Sequence, residues 1–445
     1  MKTSIEFVNH ASVIIKGAGV CVLSDPWFKG DVFHKGWNLL QETSDEDVEN
    51  MLNEITHIWI SHEHPDHFSI PFFKKFSQNI IDRSITILFQ KATDKRVLNF
   101  LKGQALTCME LRYNHQEYLT DVFSVTCIKD GFYDSGLLIE NDGEKILNLN
   151  DCEVTNSVRA NEVKEITGEV DVLLTQFSFA AWKGGKENKK WRDEASKEKL
   201  NTMALQIEIF KPKFVIPFAS FVYFSNYENF YLNDAVNKPS EVTRTFKDSL
   251  SKIIVMQPKD VLGGISENIS NDKAVEFWEK KYQDVDLKSL NDYDKVSIEE
   301  IKKSFGSYCQ RIEKNNSLWF IKIFRTVSPI SAFKAVTVRV TDLDSVLQFD
   351  YVSKNIAYTT EDPMLCMRSE SLNFLFKNSF GFDTLTVNGC FEEGKKGGFV
   401  CATKTLAIEN LNNLGINLSP SLLVNFSIIR LFLTRLYRVA KKLNG

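Results

Sequence analysis

Short apolar runs alternate with charged, helix-length segments through the first half of the chain. Ser4–Val8, Ser12–Lys16 and Gly19–Leu23 read as strands, the last ending at Ser24-Asp25-Pro26-Trp27. Ser44–Glu54 is an acidic helical segment. Ser44 is placed to cap it, and Glu46 and Asp47 face the positive end of its dipole. Ile55–Ile60 is a strand, and Pro71 opens a helix through Phe76, since proline suits a first turn. Thr86–Gln90 and Val122–Ile128 are strands. Gly136–Glu140 and Lys145–Leu149 form a hairpin about Asn141-Asp142-Gly143. Val170–Leu174 is a strand, Trp191–Phe210 a long charged helix and Phe214–Pro217 a buried strand. This mixture predicts an α/β fold, an αββα sandwich rather than a doubly wound parallel sheet.

The pattern breaks at Gly264–Glu300, which is rich in Asp, Lys, Asn and Ser. We place the domain boundary there: residues 1–264 as one domain, 265–300 as a polar linker, 301–445 as a smaller C-terminal α+β domain. In that last part Ala335–Thr341, Ser345–Tyr351 and Asn355–Thr360 read as a meander, Cys366–Lys377 as a helix and Asp383–Val387 as a strand. Ser421–Lys442 is apolar, with Arg430, Arg435, Arg438, Lys441 and Lys442 toward its end. It suits a helix packed on its own domain or on a second subunit, and also an interfacial helix on an anionic membrane. The gathering of basic residues where a helix dipole is negative favours packing.

At 445 residues the chain exceeds one ordinary core, in line with two domains. A net charge of -4 gives no pull toward nucleic acid. The N-terminus lacks the apolar core of a signal peptide, and no apolar run reaches the ~18 residues of a membrane span. Eight cysteines without a CxxC pair read as reduced thiols. These features predict a cytoplasmic protein with no transmembrane segment, and leave a homo-oligomer open.

The chemistry concentrates in His62-Glu63-His64-Pro65-Asp66-His67, directly after the apolar run Ile58-Trp59-Ile60; three of the seven histidines are here. Imidazole and carboxylate are ligands of divalent transition metals, and a strand ahead of them lets them converge at its C-terminal end. A strand followed by His-x-His-x-Asp-His resembles the metal signature of the metallo-β-lactamase fold. That resemblance implies His62 and His64 on one metal, Asp66 and His67 on a second, and Asp151, after Lys145–Leu149, as a bridge. It also implies two further histidine ligands, and both are missing. All histidines lie at or before His115, and Ala219 stands where one would fall. The other position is matched by Asp130-Gly131-Phe132-Tyr133-Asp134, with Asp130 the expected ligand and Asp134 its competitor. A carboxylate in place of imidazole, with one ligand fewer, makes a harder and more open site. Such a site suits iron and oxygen chemistry, although zinc and manganese accept the same donors.

Further pieces are similar to the CMP-N-acetylneuraminate hydroxylases: Ser24-Asp25-Pro26-Trp27-Phe28, Gly36-Trp37, the run Ile60 to Ser69, Asp130-Gly131, Lys145 to Asn148 with Asp151-Cys152, and Pro217-Phe218-Ala219. Their order fits over roughly residues 1–260. The resemblance implies a dinuclear iron hydroxylase acting on a small polar substrate, such as a nucleotide-activated sugar. That family carries a Rieske iron–sulfur domain ahead of the lactamase-like one. No cysteines here pair with histidines in that way, so electrons would come from a separate protein. By position, His10 is a catalytic or ligand-orienting residue, Asp66 a base, and Asp25 a partner for a ligand imidazole. Trp27 and Trp37 suit pocket walls, Lys183 a loop contact to phosphate, and Tyr223 and Tyr227 an approach to an open metal position. The competing expectations are a hydrolase using metal-bound hydroxide and a degenerate binding module.

Overall fold

The computed structural model describes residues 3–263, 270–327 and 332–424. The chain divides into two compact units, Met1–Lys183 with Asn188–Asn291, and Gly184–Glu187 with Asp292–Gly445. In chain order the first unit runs β1 (Ser4–Asn9), β2 (Ser12–Gly17), β3 (Val20–Ser24), β4 (Trp37–Leu39), α1 (Asp45–Leu52), β5 (His57–Ile60), α2 (Ile70–Asp82), β6 (Thr86–Gln90), α3 (Arg96–Gly103), β7 (Cys108–Leu111), β8 (Gln116–Tyr118), β9 (Phe123–Lys129), β10 (Ser135–Asn141), β11 (Glu144–Asn150), α4 (Ser157–Thr167), β12 (Val172–Gln176), α5 (Lys189–Phe210), β13 (Phe214–Phe218), β14 (Val222–Phe224), α6 (Pro239–Thr245), β15 (Lys252–Ile253), β16 (Val261–Gly263) and α7 (Asp272–Gln283).

Most of these strands build two seven-stranded sheets, ordered β16-β1-β2-β3-β5-β6-β7 and β15-β13-β12-β11-β10-β9-β8. Side chains alternate between the faces of each sheet. Phe7, Val13, Val22, Trp59 and Leu88 of the first sheet share one core with Val125, Leu137, Ile146, Val172 and Leu174 of the second. The alternate residues Ile14, Leu23, Ile58, Ile60 and Ile87 pack on Val48 and Leu52 of α1 and on Phe73, Phe76 and Ile80 of α2. Leu138, Leu147, Leu149 and Leu173 pack on Ala160 and Val163 of α4 and Phe210 of α5. The layers therefore run helix, sheet, sheet, helix, as the pattern predicts.

Local signals explain the elements. Ser44 caps α1 by accepting from the Asp47 N–H at 3.1 Å, and Ser69 caps α2. The β10–β11 hairpin closes on Asp142 and Gly143, at φ +49° and +82°, the left-handed pair that a two-residue turn demands. Strands β3, β5 and β6 are mutually parallel, as are β11, β12 and β13. The turns after β5, β11 and β13 thus leave from C-terminal strand ends, where ligands gather in sheets of this kind.

Residues 270–300, the described part of the expected linker, depart from one. They contain α7, whose Trp278 is fully buried and stacks on Phe221, with ring centroids 4.1 Å apart. The Trp278 indole N–H donates to the Met256 carbonyl at 2.9 Å. The segment reads as polar because α7 is amphipathic: Ala274, Trp278 and Tyr282, four residues apart, form a narrow buried stripe.

The second unit holds α8 (Ile298–Asn315), α9 (Leu318–Val327), β17 (Val336–Val340), β18 (Ser345–Asp350), β19 (Asn355–Tyr358), β20 (Leu365–Met367), α10 (Ser369–Lys377), α11 (Gly381–Asn388), β21 (Glu392–Glu393), α12 (Gly398–Leu406) and α13 (Ile408–Asn413). Its sheet is ordered β19-β18-β17-β20-β21, so it is an α+β unit containing the expected meander. Two expectations are corrected. Asp383–Val387 is helical, because Phe382 and Leu385 bury one face and Gly389, at φ +70°, ends the helix. The helix expected from Cys366 begins only at Ser369, since Leu365–Met367 pairs with β17. Ser421–Lys442 lies almost wholly outside the described residues. Among the described residues no helix is long and apolar enough to cross a membrane.

Candidate metal centre

The turn after β5 carries the histidine motif. It is tightened by the His67 and Phe68 N–H groups, which both donate to the His64 carbonyl, at 3.0 and 2.7 Å. Three overlapping groups of donors result: His62, His64 and Asp134; His10, Asp66 and His67; and His62, His67 and Asp151. Within each, one donor atom from every residue lies within 4.8 Å of the others. His62 Nε2 lies 2.9 Å from His64 Nδ1 and 3.7 Å from Asp134 Oδ1. His67 Nε2 is 3.3 Å from Asp66 Oδ2 and 3.4 Å from Asp151 Oδ2, and His10 Nε2 is 3.6 Å from Asp66 Oδ2.

The donor set fits divalent cations. Both ring nitrogens of His10, Nε2 of His67 and Oδ1 of Asp66 are buried without a hydrogen-bond partner. Such burial costs roughly 1–3 kcal/mol per group unless something coordinates it. The charges already answer one another. Burial opposes a charge on His67, yet Asp66, Asp151 and Asp25 outweigh it and raise its pKa well above the usual range. Burial likewise opposes ionisation of Asp151, but His67 brings it down to about 2. Burial pushes Asp134 up to about 7 despite His64 beside it.

Of the expected ligands, the fold brings together His62, His64, Asp66, His67 and Asp151. Asp130 is not among them. Its carboxylate accepts from Arg159 Nε at 2.9 Å and from the Glu153 N–H at 2.6 Å, so it braces the loop after β11. Asp134 meets His62 instead, from a turn closed by the Asp130 N–H on the Asp134 carbonyl at 2.9 Å. His10 stands within a donor group, beside Asp66. The Ala219 N–H donates to the His10 carbonyl at 3.0 Å, so the position expected to supply a histidine supports one from another loop.

The supporting residues are ordinary in sequence. Asp25 is fully buried, accepts from the Ser61 N–H and hydroxyl, each at 2.8 Å, and meets His67 Nδ1 at 3.0 Å and the Asn150 amide. Gln90 donates to the carbonyls of Ser61, at 3.0 Å, and Tyr133, and Ser135 donates to Ser61 at 2.7 Å. These bonds hold the Asp134 turn against the histidine turn. Only position at a strand end could have flagged Gln90. His10, Asp25, Asn150 and Ala219 all have positive φ, at +26°, +38°, +49° and +48°. Backbone strain of this kind costs about 1–3 kcal/mol per residue and collects at functional sites.

Trp27 packs edge-on to His10, with centroids 5.5 Å apart, and Phe33 lies between Trp37 and His64. Tyr223 is buried on β14 and Tyr227 is exposed. Asp134 also lines a cavity of about 430 Å³, with Lys129, Asp130, Glu153 and Arg159 in its wall.

Residues 4–219 match the β-lactamase superfamily domain. Together with the layered sandwich, this makes the first unit a metallo-β-lactamase-fold domain. The chain is similar in particular to the cytidine monophosphate-N-acetylneuraminic acid hydroxylase of Danio rerio, with 25% identity over 273 residues, covering 57% of this chain and 44% of that protein. The chain spans about half the length of the curated relatives it matches. Among solved structures it is similar to CmlA, a diiron β-hydroxylase from Streptomyces venezuelae (TM-score 0.41, 15% identity, 59% of this chain and 54% of that one). It is also similar to Igni18, a metallo hydrolase from Ignicoccus hospitalis (TM-score 0.42, 14% identity, 59% and 98%).

Proposed function

We propose that the first unit holds two iron ions and hydroxylates a small polar substrate with O₂. The observation that carries this reading is the donor count. Each of two outer groups offers two imidazoles and one carboxylate, His62, His64 and Asp134 on one side and His10, His67 and Asp66 on the other, with Asp151 between them. Two histidines and one carboxylate with open positions is the donor set of non-haem iron oxygenases. Bound iron would supply the reduction of O₂, with two electrons and two protons consumed to leave one oxygen in the substrate and one in water. The electrons would come from a separate electron-transfer protein.

The chain's own residues do the rest. Asp25 and Ser61 orient His67 and His62, and Gln90 and Ser135 hold the Asp134 turn. The cavity beside Asp134 offers both charge signs, Lys129 and Arg159 against Glu153, which suits a polar, charged substrate. Similarity to the hydroxylases named above supports a nucleotide-activated sugar as its class.

A hydrolase is the second reading. It is favoured by Asp66, a buried carboxylate between His10 and His67 that could orient a metal-bound water. Protein purified without oxygen from cells supplied with iron and zinc separates the two. About two irons per chain, and O₂-dependent gain of a hydroxyl on a sugar nucleotide with a supplied reductant, are expected. Zinc in place of iron, with phosphodiester or lactone cleavage, would replace the oxygenase reading with the hydrolase.

A further inference from the structure

Gln176, the last residue of β12, and Lys199, midway along α5, lie outside the histidine motif, yet they form a chain that ends on Asp151. Lys199 Nζ donates to Gln176 Oε1 at 2.6 Å, and Gln176 Nε2 donates to Asp151 Oδ1 at 2.6 Å. The second carboxylate oxygen, Oδ2, lies 3.4 Å from His67 Nε2. One oxygen of Asp151 is therefore held from outside, and the other is turned into the cluster.

The order of this chain follows from donor chemistry. A glutamine amide can present either its oxygen or its NH₂ to a neighbour, and only the NH₂ attracts a carboxylate. An ammonium has donors and no acceptor, so Lys199 can meet only Oε1 of Gln176, which leaves Nε2 for Asp151. The mount is stiff. Seven residues further along α5, Gln206 accepts from Thr175 Oγ1 at 2.6 Å and donates to the Val154 carbonyl at 3.1 Å. The same helix thus grips β12 next to Gln176 and the loop that follows Asp151. Lys199 is half-buried. Burial lowers its pKa from the ordinary 10.5, and Asp151 nearby opposes that.

We infer that Gln176 and Lys199 are positioning residues of the dinuclear centre: Lys199 fixes the orientation of the Gln176 amide, and the amide holds Asp151 so that Oδ2 alone is offered to the metals. This rests on the two-metal reading above. The test titrates the metal-free chain with Co²⁺ and with Fe²⁺ under nitrogen and counts bound ions per chain. The variants are Lys199→Met, Lys199→Arg and Gln176→Met. Two ions are expected for the wild type. Lys199→Met and Gln176→Met should each weaken one of the two by about 10- to 100-fold, the usual effect of losing a residue that orients a ligand. Lys199→Arg should restore most of that affinity, since a guanidinium is also donor-only. A purely structural role would change thermal unfolding of the metal-free protein and leave the second ion bound. Wild-type affinity for both ions in Lys199→Met and Gln176→Met would overturn the inference while leaving the two-metal reading intact. Fewer than two ions on the wild type would overturn both.

Discussion

Oδ2 of Asp25 lies 3.0 Å from Nδ1 of His67, across 42 residues of sequence. With Nδ1–H donated to that carboxylate, Nε2 is directed at Asp66 and Asp151, 3.3 and 3.4 Å away, and is the nitrogen left to meet a metal. Asp25→Asn tests the relationship. Asparagine tolerates the positive φ here and can still accept from the Ser61 N–H, but its amide would donate toward Nδ1 and favour the other tautomer. Metal affinity on the His67 side is expected to fall by about 10- to 100-fold with the fold kept. Metal titration beside circular dichroism checks it, and unchanged affinity would mean that the tautomer is set elsewhere.

Asp130 and Asp134 make a matched pair of substitutions with different expected outcomes. Asp134→Ala should remove one bound ion, because it takes the carboxylate from the His62 and His64 group. Asp130→Ala should leave metal stoichiometry unchanged. It should instead lower stability by roughly 1–3 kcal/mol, since it deprives Arg159 and the Glu153 N–H of their acceptor. Metal counting and urea unfolding on both variants decide the matter, and loss of metal from Asp130→Ala would reverse the assignment.

The contrast shows what the sequence made legible. His62, His64, Asp66 and His67 are close in sequence and follow one strand, so their convergence could be read from six residues. Asp151 could be read because a strand ends immediately before it. The choice between Asp130 and Asp134 turns on which carboxylate meets His62 and which meets Arg159, and nothing local encodes that. The decision comes from Arg159 on α4 and Gln90 on β6, both distant in sequence. The inner strands of the two sheets were legible because they are apolar on both faces or bounded by turns; the short edge strands β7, β8, β15 and β16 were not. α7 was not, because three buried residues in twelve leave its composition that of a linker.

Trp278 converts that last point into a measurement. Its indole packs on Phe7, Phe221 and Phe277 and is fully buried. Trp278→Ala should cost about 3–5 kcal/mol, the range for emptying a large aromatic site in a core. A connector outside the core would lose well under 1 kcal/mol on the same change. Equilibrium urea unfolding gives the difference directly.

His34 predicts the acid side of the stability profile. Burial, with Lys35 adding to it, pushes its pKa from the ordinary 6.5 down to about 4. Between those values the unfolded chain takes up a proton that the folded chain refuses. The linkage sign is therefore fixed: the contribution is complete above pH 6.5, falls as pH drops through the window, and levels off below about pH 4. His62 is shifted down by burial and His67 up by its carboxylate neighbours, so a single profile does not isolate this group. The difference between wild type and His34→Gln does, because the cluster contributes equally to both. Measured by urea unfolding of metal-free protein, the stability of the wild type relative to the variant should decline as the pH is lowered from 7 toward 4. Parallel profiles across that range would mean that His34 titrates alike in the folded and unfolded chains.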